Sequence, residues 1–284
     1  MALKSLAIAT DLSERADPAM DRAIALAQEH NCALTIIHVV DDSLPDAMVS
    51  NQIMFAKEHL HDDVSQRLAG GKVDVAINVT AGDPFPTIVA ETASVGADVL
   101  ISGMHRKDTL QDFVAGTTIG RVIRSIGCPV LLVRNRAARK YENIVVATDF
   151  SPSSRFALGA AVSLAPSASY HLIHAYDIPF GGLIDSPSTR ETLEEQITSR
   201  LNAFAEEEMA AIAERLSPGP NFARPRAIQG TILEVISDQA VSLKADMLVV
   251  GTHGRTGIGR MLLGSVAEFL IADPPTDLLI ARAW

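Results

Sequence analysis

Two cysteines in 284 residues, Cys32 and Cys128, cannot build the disulfide framework of a small secreted domain, and they fit a reducing cytosol. Basic residues are in deficit. Lys and Arg number 24 against 34 Asp and Glu, a formal charge of −10 with a pI near 5.2. Phosphate backbones and anionic lipid are bound through basic surface, so this balance argues against a nucleic-acid or membrane partner. No apolar run approaches the length of a bilayer span. The opening MALKSLAIATDL is apolar only as far as Ala9 before it meets Asp11, which predicts a strand and not the apolar core of a signal peptide. Aromatic residues are scarce, at 5%, although hydrophobic residues reach 48%. That composition and length suit a cytoplasmic α/β protein with two ordinary domains and a large core.

What the chain has in abundance is self-similarity. The segment SLAIATDLS at residues 5–13 recurs as NIVVATDFS at residues 143–151, an offset of 138. Later landmarks recur at an offset of 148, among them Asp98 with Asp246 and Gly116-Thr117 with Gly264-Ser265. The second copy has therefore gained about ten residues, most of them in the Pro-, Gly- and Ser-rich stretch 177–189. Each copy reads β-α-β-α-β-α-β-α-β. In the first, strands are predicted near residues 4–10, 33–40, 72–79, 97–103 and 129–134, with helices beginning near Ser13, Leu44, Pro84 and Gly116. Alternation of this kind implies a parallel sheet covered on both faces, with ligands at the carboxyl ends of the strands. The copies are expected to span residues 1–137 and 141–284, joined by a short basic linker.

The stretch GTHGRTGIGRMLLGS, residues 251–265, follows the apolar run 246–250 and leads into an apolar helix. Gly251 and Gly254 permit positive φ and close approach of an anion to backbone N–H groups, and a helix N-terminus beyond them favours phosphate. The common nucleotide signatures are missing. No lysine follows these glycines as a Walker A loop requires, and Leu262 occupies the last glycine position of a dinucleotide fingerprint. The pattern present is GxxG, nine residues, then Gly264-Ser265.

Together with Asp149 at the end of an earlier strand, that pattern resembles the ATP-binding motif of the universal stress protein family. The resemblance covers nearly the whole chain as two copies in tandem. It implies a flavodoxin-like (Rossmann-type) five-stranded parallel sheet in each copy, and copies paired through their last strands as an internal pseudo-dimer. It also implies ATP with Mg²⁺ as ligand, bound in the second copy and read by a protein partner. Asp149 would accept hydrogen bonds from ribose hydroxyls, Ala175 and Tyr176 would hold adenine by backbone groups, and Val250 and Val266 flank the phosphate loop. Because the acidic protein opposes ATP at long range, local amides, Arg255 or Arg260 and a divalent cation have to hold the phosphates.

Each candidate has a plainer alternative. Asp149 also suits a strand-ending turn, and Gly251 and Gly254 an ordinary loop. Ser265 with Glu268 forms an S-x-x-E capping box that needs no ligand. Arg255 suits a solvated surface, and His253 has no neighbouring carboxylate to orient it. No catalytic residue is assigned, and none of the eight histidines has metal-ligand spacing. The helical pattern at residues 190–216 fits a helix packing on its own sheet. In the first copy Asp11, Gly103, Gly116 and Thr117 match, but Arg106 replaces the middle glycine. A side chain there blocks close approach of phosphate to the backbone, so the first copy is expected to have lost or weakened ATP binding. Three functions stay open on sequence alone: an ATP-binding regulator of the stress response, a slow ATPase using the same pocket, and a nucleotide-free scaffold.

Overall fold

Short runs such as residues 144–146 and 248–250 are apolar on both faces, so they are stable as strands only inside a sheet covered twice by helices. The computed structural model, which describes residues 3–68, 71–104, 118–135, 140–177, 187–214, 219–252 and 264–283, has this arrangement in two compact units. The first runs β1 (Ser5–Ala9), α1 (Asp17–His30), β2 (Ala33–Val40), α2 (Asp46–Leu68), β3 (Val75–Ala81), α3 (Pro84–Ser94), β4 (Val99–Gly103), α4 (Thr118–Ser125) and β5 (Val130–Val133). Its strands are all parallel, in the order β3-β2-β1-β4-β5, with Leu6 paired to Leu34 on one side and Val99 on the other. The second runs β6 (Asn143–Ala147), α5 (Pro152–Leu164), β7 (Ser169–Tyr176), α6 (Pro187–Ala213), β8 (Asn221–Phe222), β9 (Arg226–Gln229), α7 (Ile232–Ser242), β10 (Met247–Gly251), α8 (Ser265–Ala272) and β11 (Asp277–Ala281). It repeats the order as β9-β7-β6-β10-β11, with β8 also on β7.

This winding positions the site. In each unit the chain leaves the first strand toward one edge of the sheet and later crosses to the other, so connections diverge above β1 and β4, and again above β6 and β10. The crevice between the diverging loops lies at the carboxyl ends of those strands. At the opposite ends, the repeated aspartates have a structural duty. Asp98 Oδ2 accepts from the Lys4 and Ser5 amides at 2.6 and 3.1 Å, and Asp246 Oδ2 from Glu142 and Asn143 at 2.8 Å each. Each ties the start of the fourth strand to the start of the first.

The cores are aliphatic. Leu6, Ile36 and Leu100 in the first unit, and Ile144, Leu248 and Leu279 in the second, are fully buried. Tyr170 is the most deeply buried aromatic among the described residues, and its hydroxyl shares its proton between the Ala161 and Ala165 carbonyls, each at 2.8 Å, fastening the end of α5. The long helix packs on its own unit as the sequence predicts, burying Leu201, Phe204 and Ala205. At 27 residues it exceeds α2 by four, which absorbs part of the second copy's extra length.

Candidate functional site

Both units make the same turn after their first strand. In the second, the Thr148 amide donates to the Ile173 carbonyl, and Thr148 Oγ1 accepts from the Phe150 amide at 3.1 Å. Asp149 Oδ1 accepts from the Ser151 amide at 3.1 Å, closing a carboxylate turn. Phe150 is thereby forced to φ +65°, a left-handed conformation that costs a bulky residue about 1–3 kcal/mol. Ser151 then caps α5, its hydroxyl accepting from Ser154 N at 3.2 Å, with Pro152 in the first turn. The first unit repeats the device with Leu12 at φ +62° and Ser13 N on Asp11 Oδ1 at 3.0 Å. There the helix does not start near Ser13. Ser13 Oγ turns back to Asp11 at 2.7 Å and caps nothing, so α1 begins only at Asp17.

A histidine stands beside each turn, and sequence reasoning missed both. His174 Nδ1 lies 2.7 Å from the Thr148 carbonyl, and His38 Nδ1 2.9 Å from the Thr10 carbonyl. A carbonyl can only accept, so each Nδ1 carries the proton. The His174 ring also lies 4.4 Å from the Phe150 ring, and Phe204 meets Phe150 edge-on at 5.5 Å, which holds the strained residue in place. The usable signal was register: both histidines sit at the sixth position of the second strand of their copy.

The end of β10 explains two glycines in a way the sequence did not. Gly251 does not use the positive φ that glycine permits. A Cβ there would lie 2.8 Å from the Ser153 carbonyl carbon and 2.9 Å from Ser154 N, so the missing side chain lets the first turn of α5 rest on the strand end. Gly103 plays the same part in the first unit, where a Cβ would come 3.1 Å from the Arg15 oxygen and 3.2 Å from Ala16 Cα. Gly264 donates to the Thr252 carbonyl at 2.9 Å, and its own carbonyl accepts from Glu268 N at 2.9 Å. Gly264, not Ser265, is therefore the N-cap, and the alternative reading of a capping box with Ser265 in that role does not hold. Ser265 is instead the exposed first residue of α8. Its amide and those of Val266 and Ala267 precede the first intrahelical bond and need acceptors from outside the helix.

The structure thus gathers Asp149, Gly251, Gly264, Ser265 and Val266 at the carboxyl end of the second sheet. Val250 is buried in β10, paired to Ile280. Tyr176 is committed to its own unit: its carbonyl accepts from Gly230 N at 2.9 Å, and its phenol, raised in pKa by burial and by Glu194, hydrogen-bonds that carboxylate. Alternate residues of a strand turn their backbone groups to opposite neighbours, so Ala175 presents its own on the β6 side, beyond the last β6 pair at Ile173. Gly254 and Arg255 lie outside the described residues, as do Arg260, His253, Arg106, Gly116 and Thr117.

The chain that builds these two parallel sheets, each with an aspartate turn and a strand ending in glycine, matches the model of the universal stress protein family over residues 3–134 and again over residues 140–282. The chain belongs to the universal stress protein family. It is 24% identical to universal stress protein E of Escherichia coli K12 over 98% of this chain and 94% of that one. It is equally identical to universal stress protein Rv2005c of Mycobacterium tuberculosis H37Rv, over 97% and 96%. Among solved structures, a universal stress protein from Archaeoglobus fulgidus superposes with a TM-score of 0.70 at 18% identity, covering 98% of each chain. Like these two relatives, this universal stress protein carries the family domain twice within one polypeptide of similar length.

In the first unit of this family member, described residues enclose a cleft of about 460 Å³ above β1, β2 and β4. Asp11, Arg15 and His38 line its polar end, and Ile88, Ile119 and Met104 its apolar walls. Asp11 is exposed, whereas Asp149 is half-buried. Among the described residues no helix is long and apolar enough to cross a membrane.

Proposed function

We propose that this universal stress protein binds ATP with Mg²⁺ in its C-terminal unit and acts in the cytoplasm as a nucleotide-dependent regulator of the stress response. The observation that carries this reading is the state of Asp149. Its turn with Ser151 engages Oδ1 and fixes the half-buried carboxylate at the end of β6, leaving Oδ2 as an acceptor suited to ribose hydroxyls. The first amides of α8 supply donors of the kind a phosphate needs, at the positive end of the helix dipole. The Gly264 amide is not one of them, because it is spent on Thr252.

Magnesium fits this donor set only as a companion of the phosphates. Mg²⁺ keeps several waters and takes one or two carboxylates plus phosphate oxygens. Among the described residues no group of three or more His, Cys, Asp or Glu is gathered to hold a metal. When bound, the ion would neutralise phosphate charge that an acidic protein otherwise repels. Asp149 orients the sugar, Ala175 offers backbone groups to the base, and α8 meets the phosphates. Nucleotide occupancy would then change the surface that a partner reads.

The test is mass analysis of small molecules released when freshly purified protein is denatured, together with melting in MgATP. An adenine nucleotide is expected, and saturating MgATP at about a hundred times Kd adds roughly 2.7 kcal/mol. Absence of any nucleotide combined with an unchanged melting temperature would contradict the proposal.

A further inference from the structure

We propose that the cleft of the N-terminal unit is a second binding site, for a small uncharged amphipathic molecule that carries hydrogen-bonding groups at one end. The site goes beyond the nucleotide reading, since it lies in the other unit and uses other residues. At about 460 Å³ the cleft is within the range of small-ligand sites, roughly 300–1,000 Å³. Its walls are apolar and incompletely covered: Ile88 on α3, Ile119 on α4 and Met104 after β4 line it while remaining half-exposed. Such surface gains free energy when an apolar body displaces water from it.

The polar end fixes the ligand's other face. His38 Nδ1 donates to the Thr10 carbonyl, which leaves Nε2 of the neutral ring as an acceptor. Asp11 adds carboxylate oxygen at the same end. These acceptors and the Arg15 guanidinium, a donor at the same end, call for a ligand end that both donates and accepts, such as a hydroxyl or amide group. The charged lining residues are Asp11 and Arg15, whose charges offset, so the described lining has no net charge with which to balance a phosphate. The second unit has Thr252 where this one has Met104, and Ala267 where this one has Ile119, so the first unit has the larger apolar side chain at both positions.

The test uses the full chain and the neutral dye 1-N-phenylnaphthylamine, which has an apolar body and one N–H donor. Fluorescence should rise saturably with one dye per chain. Ile88→Trp and Ile119→Trp, filling the cleft from two different helices, should each weaken the dye by about tenfold or more. Ile232→Trp, at the position in the second unit that corresponds to Pro84, should leave binding unchanged. As a readout free of substitutions, hydrogen exchange of the wild-type chain with dye should show protection in α3 and α4 and not in α7. Saturating MgATP should leave the dye in place, and this arm fails separately from the ATP proposal, which is read by melting. Unsaturable binding, survival of binding in both filled variants, or protection confined to the second unit would overturn the assignment. Displacement of the dye by MgATP would also overturn it, by making the cleft a nucleotide site.

Discussion

At residues 103 and 251 the absence of a methyl group lets a helix start and a strand end occupy adjacent space. For Gly251→Ala the new Cβ meets backbone atoms at 2.8–2.9 Å, which cannot rotate away, so we expect a loss of about 1–3 kcal/mol in urea unfolding. Gly264→Ala meets only the Thr252 oxygen at 3.3 Å and should cost less; equal losses would show that close packing is not what Gly251 provides. His171 makes a prediction of opposite origin. Burial and the nearby Arg226 guanidinium lower its pKa below the ordinary 6.5. The unfolded chain therefore binds this proton first, and the stability His171 permits is complete about one pH unit above 6.5 and declines as pH falls through 6.5 toward the folded pKa. Melting temperature should drop between about pH 7.5 and pH 5.5, and His171→Gln should make that drop shallower. An identical slope in the variant would remove His171 as a contributor.

Between elements, the two units solve one problem with opposite charges. In the first, Arg67 on α2 binds Asp17 at 2.7 Å and Asp63 at 2.8 Å, and also Asp21. Burial alone would weaken its charge, but those carboxylates outweigh it and raise the guanidinium pKa. In the second, the cation has moved to the other helix, where Arg155 on α5 reaches Glu207 at 3.1 Å and Glu208 on α6. Arg155 also lies 4.9 Å over the Phe204 ring, the ring that braces Phe150 in its left-handed turn. Glu208 is buried and Glu207 exposed. Arg155→Ala should thus cost about 1–3 kcal/mol by leaving a buried carboxylate short of its cation, discounted by the partial exposure of Arg155 itself. Glu207→Ala should stay within about 0.5 kcal/mol. Thermal denaturation of the two variants decides it, and comparable losses would contradict the role given to burial.

The same scale shows what the sequence could and could not say. Strands and helices were legible because local periodicity and punctuation carry them: Ser151-Pro152 marks a cap, and apolar residues at helical spacing mark α6. The late start of α1 was not, because Ser13 spends its hydroxyl on Asp11, a choice that spacing does not encode. Nor was the cap at Gly264, which depends on a contact with Thr252 twelve residues away. The left-handed Leu12 and Phe150 were hidden by their own identity, since neither residue type advertises positive φ. His38 and His174 act through carbonyls 28 and 26 residues distant, beyond the reach of any local pattern.

For the molecule as a whole, the two copies share one strand order and one aspartate turn and differ in the chemistry around it. Asp11 and Asp149 make the same turn, yet one is exposed beside apolar walls and the other half-buried near the amides of α8. The account predicts division of labour, with nucleotide confined to the second unit. Calorimetric titration of the full chain with MgATP tests this most directly, comparing wild type with Asp11→Asn and Asp149→Asn, substitutions that retain the oxygen needed by the turn amides of Ser13 and Ser151. We predict one nucleotide per chain, unaffected by Asp11→Asn and abolished or strongly weakened by Asp149→Asn. Two nucleotides per chain, no binding at all, or a site lost with Asp11→Asn but kept with Asp149→Asn would contradict it.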